Sequence, residues 1–124
     1  MLEEFMHFIQ SNALCQQGDR ILIAVSGGID SMVLLHLYVA AGYQPGIAHC
    51  NFHLRGDESD GDEKFVKSIS GELGMDYHQQ DFDTERSATE AGISIQMAAR
   101  NLRYRWFEEI RKRHGYNYIA TAHN

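Results

Sequence analysis

Ile21-Leu22-Ile23-Ala24-Val25 runs without a break into Ser26-Gly27-Gly28-Ile29-Asp30-Ser31, and the reading of this stretch decides the fold. An unbroken apolar, largely β-branched run is the pattern of a strand buried on both faces, as in a parallel sheet. Helical sequence follows at once, because Asp30 through Ala41 is nearly all apolar and stops at Gly42, a natural left-handed terminator. The turn between them therefore lies at the carboxyl edge of a sheet and at the amino end of a helix. Unpaired N–H groups and the positive end of the helix dipole make that position favourable for a phosphate. Gly27 and Gly28 allow close backbone approach, Ser26 and Ser31 add hydroxyl donors, and Ile29 completes the cradle. Asp30 is the only charge in the turn and has the wrong sign for holding phosphate. Its simplest task is to cap the helix amino terminus.

Better-known turns of this kind do not fit. A Walker A loop requires a lysine on the terminal phosphates, and no lysine or arginine occurs between Arg20 and Arg55. A dinucleotide G-x-G-x-x-G is also missing, which removes the basis for a hydride-transfer enzyme. Ala24-Val25-Ser26-Gly27-Gly28 approximates the nucleophile elbow G-x-S-x-G but lacks its first glycine. A serine hydrolase would further need a downstream acid and histidine in a longer chain.

Composition sets the outer limits. The 124 residues suit one domain of ordinary size, and 44% hydrophobic content supports a real core. A net charge of −6 argues against a broad nucleic-acid surface. Basic residues nevertheless crowd one late segment (Arg100, Arg103, Arg105, Arg111, Lys112, Arg113, His114), which leaves a local RNA-facing surface open. An acidic run, Asp57, Glu58, Asp60, Asp62 and Glu63, precedes it. The two cysteines, Cys15 and Cys50, form no C-x-x-C pair and fit a reducing, cytoplasmic setting. No apolar stretch approaches the ~20 residues of a membrane span, so no membrane partner is expected.

Along the chain, strand and helix signals alternate without repeat or linker. Residues 1–18 read as a packing helix, with Leu2, Phe5, Ile9 and Ala13 at helical spacing. A short strand from Gly46 to about Asn51 follows the first helix, then a loop rich in charge and glycine. Phe65, Val66, Ile69 and Leu73 give one face to a helix ending at Gly74, and Asp76 to Phe82 is a weak third strand. Residues 84–92 are ambiguous. From Ser94, the positions Ile95, Ala98, Leu102, Trp106 and Ile110 mark a long amphipathic helix, with Met97, Trp106 and Phe107 assigned to the core. Tyr116 to Ala122 reads as a fourth strand. The predicted fold is α/β, a doubly wound parallel sheet with its ligand beyond the carboxyl ends of the strands. Ser26, His49 to Asn51 and His123 would gather there. His49, Cys50 and His53 also suit zinc chemically, but they lack a fourth partner at a recognised spacing. Arg100 falls opposite the Leu102–Trp106 stripe, free to be a solvated charge or to reach a phosphate.

Ser26-Gly27-Gly28-Ile29-Asp30-Ser31 matches the S-G-G-x-D-S signature of the PP-loop, or N-type, ATP pyrophosphatases, which have a Rossmann-like adenine nucleotide α-hydrolase fold. Further stretches narrow the resemblance. Ala48-His49-Cys50-Asn51-Phe52-His53-Leu54-Arg55-Gly56 is similar to an A-H-x-N-H-x-L-R segment with one residue changed in position. Ala98-Ala99-Arg100-Asn101-Leu102-Arg103-Tyr104 is similar to an A-A-R-x-x-R-Y helix, and Ile119-Ala120-Thr121-Ala122-His123-Asn124 to an I-A-T-A-H-x strand. From about Arg20 to the last residue the chain thus resembles the amino-terminal catalytic domain of the tRNA(Ile)-lysidine synthetase family. The related tRNA 2-thiocytidine synthetases share the turn but rely on paired cysteines, which are missing.

The resemblance implies ATP and Mg2+ as cofactors, tRNA(Ile) with a CAU anticodon and free L-lysine as partners, and pairing into a homodimer. The implied reaction adenylates O2 of the wobble cytidine and then displaces AMP with the lysine amine. Ser26, Gly27, Gly28, Ile29, Asp30 and Ser31 would bind the nucleotide together with His49 and Asn51. Asp30, Arg100 and His123 would be catalytic, with Asp30 also on the metal. In the family the histidine matching His123 is followed by an Asp-Asp pair, whereas this sequence stops at Asn124. The expectation is therefore an incomplete domain, cut after about the fourth strand and by itself inactive. The alternatives are a non-catalytic adenine-nucleotide-binding module, or another PP-loop enzyme that amidates or thiolates.

Overall fold

The computed structural model describes residues 19–122, so the expected helix over 1–18 and His123 lie outside the described residues. Strands β1 (Ile21–Ala24), β2 (Gly46–Asn51), β3 (Tyr77–Asp81) and β4 (Tyr118–Ala120) form one sheet in the order β3-β2-β1-β4, with every neighbouring pair parallel. The intervening helices are α1 (Ile29–Ala40), α2 (Asp57–Leu73), α3 (Thr84–Ala91) and α4 (Ile95–His114). From β1 the chain steps outward through β2 to β3, then crosses back to place β4 on the other side of β1. This is the doubly wound arrangement, and its switch point falls at the carboxyl end of β1.

The central strand explains the layering. Ile21, Ile23 and Val25 point to one face, where Ile47 of β2, Leu35 and Tyr38 of α1 and Val66 of α2 close a first core. Leu22 points to the other, with Ala48, Trp106, Phe107, Ile110 and Tyr116 in a second core beneath α4. Ile21, Leu22 and Ile23 are each at most 1% exposed, and burial at this level contributes roughly 1.5–3 kcal/mol per large aliphatic side chain.

Helix ends follow local chemistry. Gly74, Gly92 and Gly115 take left-handed backbone after α2, α3 and α4. Ser94 caps α4 by accepting from the Met97 N–H, and Asp83 caps α3 by accepting from the Arg86 N–H, which resolves the ambiguous residues 84–92 as a helix over 84–91 stopped by Gly92. The acidic run that reads as loop lies within α2, where Asp57, Glu58 and Asp60 occupy the first turn and complement the helix dipole.

Two further expectations need correction. Met97 is 53% exposed, because on α4 it shares a face with the exposed Asn101 and Tyr104 rather than with the buried Ala98, Ala99, Trp106, Phe107 and Ile110. β4 begins at Tyr118, two positions later than expected, because Asn117 first bonds back to the chain entering β1. Its N–H donates to the Arg20 carbonyl at 2.7 Å, and its Oδ1 accepts from the Arg20 N–H at 2.8 Å.

Candidate functional site

The backbone parts from the sheet at Val25, whose N–H donates to the Ala48 carbonyl at 2.9 Å. The next residues close on themselves. Ser31 Oγ accepts from the Ser26 N–H at 3.1 Å and lies 3.1 Å from the Gly28 carbonyl oxygen, to which it donates. Ser26 Oγ accepts from the Gly28 N–H at 3.2 Å and stands 3.2 Å from Ser31 Oγ. Ser31 is buried and spends its hydroxyl on the turn, whereas Ser26 is exposed. Gly27 holds φ at +95°, a value other residues rarely adopt, and its missing Cβ leaves room for Asp62 of α2.

Helix α1 starts with Gly28 as its cap and no side chain on its first donors. Its first intrahelical bond runs from the Met32 N–H to the Gly28 carbonyl at 3.1 Å. The N–H groups of Ile29, Asp30 and Ser31 precede that bond and are free of intrahelical partners. Asp30 lies in the first turn and makes no capping bond, so the simple capping role is not its task.

A cavity of about 480 Å³ opens beside this turn, within the size range of small-ligand sites. One wall is the turn itself, with Ser26, Gly28, Ile29, Asp30 and Ser31. The opposite wall is built by Ala48, Cys50, Phe52, Arg103 and Phe107, with Ala122 at the rim. Of the expected binding residues, the structure brings the Ser26–Ser31 turn to the cavity. It places His49 and Asn51 elsewhere. Both are buried on the α1 and α2 side of the sheet, because side chains alternate along β2 and Ala48 and Cys50 take the cavity side. Asn51 Nδ2 donates to Glu63 Oε1 at 3.1 Å and to Asp60 Oδ1 at 3.3 Å, while its Oδ1 accepts from the His53 N–H at 2.9 Å. Nor do His49, Cys50 and His53 converge as a zinc set would, since His53 instead meets Asp81 at 3.1 Å.

Arg100 also departs from expectation. It is exposed on α4, with its guanidinium 5.6 Å from the Tyr104 ring centre, and does not line the cavity. Arg103 does. One turn before Phe107 on the same helix face, it reaches the cavity wall with its guanidinium 5.9 Å from the Phe52 ring centre. Its Nε is buried with no hydrogen-bond partner among the described residues, so a donor waits at the wall. Cys50 lies beside it, and burial pushes the thiol up to about 12 against a smaller lowering by the Arg103 charge. At neutral pH Cys50 is a protonated, apolar wall residue rather than a nucleophile. The alternation of β2 and the four-residue step from Arg103 to Phe107 were the sequence signals for this wall.

The whole chain, residues 1–124, matches the PP-loop domain family. The chain belongs to that family. Its PP-loop is the Ser26–Ser31 turn already described. Among its relatives, the protein named tRNA(Ile)-lysidine synthase from Bacteroides thetaiotaomicron is 48% identical over 122 residues, covering 98% of this chain and 29% of that protein. The Porphyromonas gingivalis protein of the same name is 50% identical over 117 residues, 94% of this chain and 26% of its own length. The Chlorobaculum tepidum one is 44% identical over 126 residues, 98% of this chain and 38% of its length. The PP-loop chain thus spans roughly a quarter to two fifths of the curated relatives it matches. No helix among the described residues is long and apolar enough to cross a membrane.

Proposed function

We propose that this PP-loop domain binds ATP with its phosphates on the Ser26–Ser31 turn, as part of an enzyme that modifies tRNA at the cost of the α–β phosphate bond. The observation that carries the reading is the coincidence of three features at the switch point of the sheet. A strand ends there, uncapped α1 donors face the same cavity, and Arg103 supplies a positive charge from the far wall. Backbone donors and Arg103 would stabilise charge on the phosphates as the leaving pyrophosphate forms. The apolar wall of Ala48, Cys50, Phe52 and Phe107 suits a nucleobase.

The donor set is compatible with Mg2+. Asp30 offers a cavity-side carboxylate with no hydrogen bond or ion pair among the described residues, and magnesium commonly takes one or two carboxylates together with phosphate oxygens and water. Bound there, the ion would offset phosphate charge.

The relatives' shared name supports a specific acceptor. In that reading O2 of the wobble cytidine of tRNA(Ile) attacks the α-phosphorus, pyrophosphate leaves, and the ε-amine of free lysine then attacks C2 and expels AMP with the oxygen. The exposed basic residues late in α4, Arg105, Lys112 and Arg113, suit contact with RNA phosphates. The test is mass analysis of a tRNA(Ile) transcript incubated with ATP, lysine and the protein that carries this chain. A gain equal to one lysyl group is expected, with AMP and pyrophosphate released in equal amounts. An unchanged transcript would remove the lysine assignment.

A further inference from the structure

From the contacts on the side of the sheet away from the cavity, we infer that His49 is a positioning residue for the PP-loop, acting through the Val25 carbonyl rather than touching the nucleotide. The inference rests on the nucleotide reading above and deepens it. His49 is 3% exposed, and its Nδ1 lies 2.8 Å from the Val25 carbonyl oxygen. A carbonyl only accepts, so Nδ1 carries the proton of this bond. Val25 is where the chain leaves the sheet: its N–H still bonds to the Ala48 carbonyl of β2, while its carbonyl begins the peptide that leads into Ser26. The imidazole thus grips the last anchored peptide before the turn and fixes the direction in which the loop donors point. A buried bond to a main-chain carbonyl is costly to lose, because the oxygen is then left without its imidazole donor.

The surroundings of His49 form a buttress rather than a second ligand site. Two residues on, Asn51 ties Asp60 and Glu63 of α2 to the strand end. Asp62 of the same helix packs against Gly27, so closely that a Cβ there would lie 3.1 Å from its Oδ1, and it is held by Arg55 at 2.5 Å. His49 at the base and Asp62 at the crest brace the PP-loop from behind, leaving its front for the ligand. The Nε2 of His49 is buried without a partner among the described residues, so the Nδ1 bond to Val25 is the polar contact that orients the ring.

The test compares three proteins by isothermal titration with ATP: the wild-type chain, His49→Asn, whose amide can donate from the Nδ1 position, and His49→Leu, which keeps apolar volume and removes the donor. The expected result is binding by His49→Asn within about threefold of wild type and by His49→Leu at least about tenfold weaker. Equal affinity of His49→Leu and wild type, or equal loss in both variants, would overturn the role. Absence of ATP binding by the wild type would overturn the nucleotide reading and this role with it. A measurement on the wild type alone does not depend on the variants folding. Nitrogen-15 NMR of the His49 ring is expected to show the proton on Nδ1, and a ring protonated only on Nε2 would overturn the inference.

Discussion

At the scale of single residues, the two arginines of the A-A-R-x-x-R-Y helix separate a surface charge from a site charge. Both read alike in sequence, since each is a long cation on an amphipathic helix. Only the packing of Phe107 against the sheet decides which of them faces the cavity, and that selects Arg103, four residues earlier, over Arg100. Replacing Arg103 by Ala is expected to weaken ATP binding roughly tenfold or more, the usual scale for a charge-assisted bond, whereas Arg100→Ala stays within about twofold. Titration of both variants checks this directly, and equal effects would mean that the wall has been misassigned. The same distinction applies in β2. His49 and Asn51 stood out in sequence because they are polar at a strand end, yet strand alternation puts them behind the loop, with Cys50 in front. Their chemistry was legible, but the face was not, because both sides of the sheet carry equally apolar cores.

At the scale of elements, the strand, turn and helix of the PP-loop were legible almost to the residue, because each has its own signal: an apolar run, paired glycines and a glycine stop. The turn also tolerates an added methyl group poorly. Gly27→Ala must hold a side chain at φ +95° and push against Asp62, so a loss of about 1–3 kcal/mol in urea unfolding is expected, together with weaker ATP binding. Unchanged stability would show that the loop relaxes easily. The less legible elements were those whose signals are capping contacts rather than periodicity. Helix α3 is short and polar, and it is secured by Asp83 at one end and Gly92 at the other. The start of α2 hides in a charged stretch, because acidic residues mark a helix amino end as readily as a loop.

At the scale of the whole molecule, the end of the fold away from the cavity has its own electrostatics. His78 on β3 lies against His114 at the end of α4, with ring centres 4.5 Å apart, and its Nε2 is 2.9 Å from the Tyr116 hydroxyl. Burial first, then His114 and Arg20, hold His78 below its ordinary value of 6.5, while Asp76 acts in the opposite direction. The folded protein therefore favours the unprotonated ring. The associated stability is complete above 6.5 and is lost as pH falls through that value toward the lower folded one. Thermal unfolding from about pH 8 to about pH 5 should show a falling Tm, with a smaller fall in His78→Gln, since that variant has no ring to protonate. An identical pH profile in the variant would place the dependence elsewhere. The proposed nucleotide site lies at the other end of the sheet. Isothermal titration of the chain with ATP and with a non-hydrolysable α,β analogue, with and without magnesium and beside Asp30→Ala, tests it most directly. Saturable binding that requires magnesium and weakens in Asp30→Ala is the predicted result, and no binding by the folded chain under any of these conditions would contradict it.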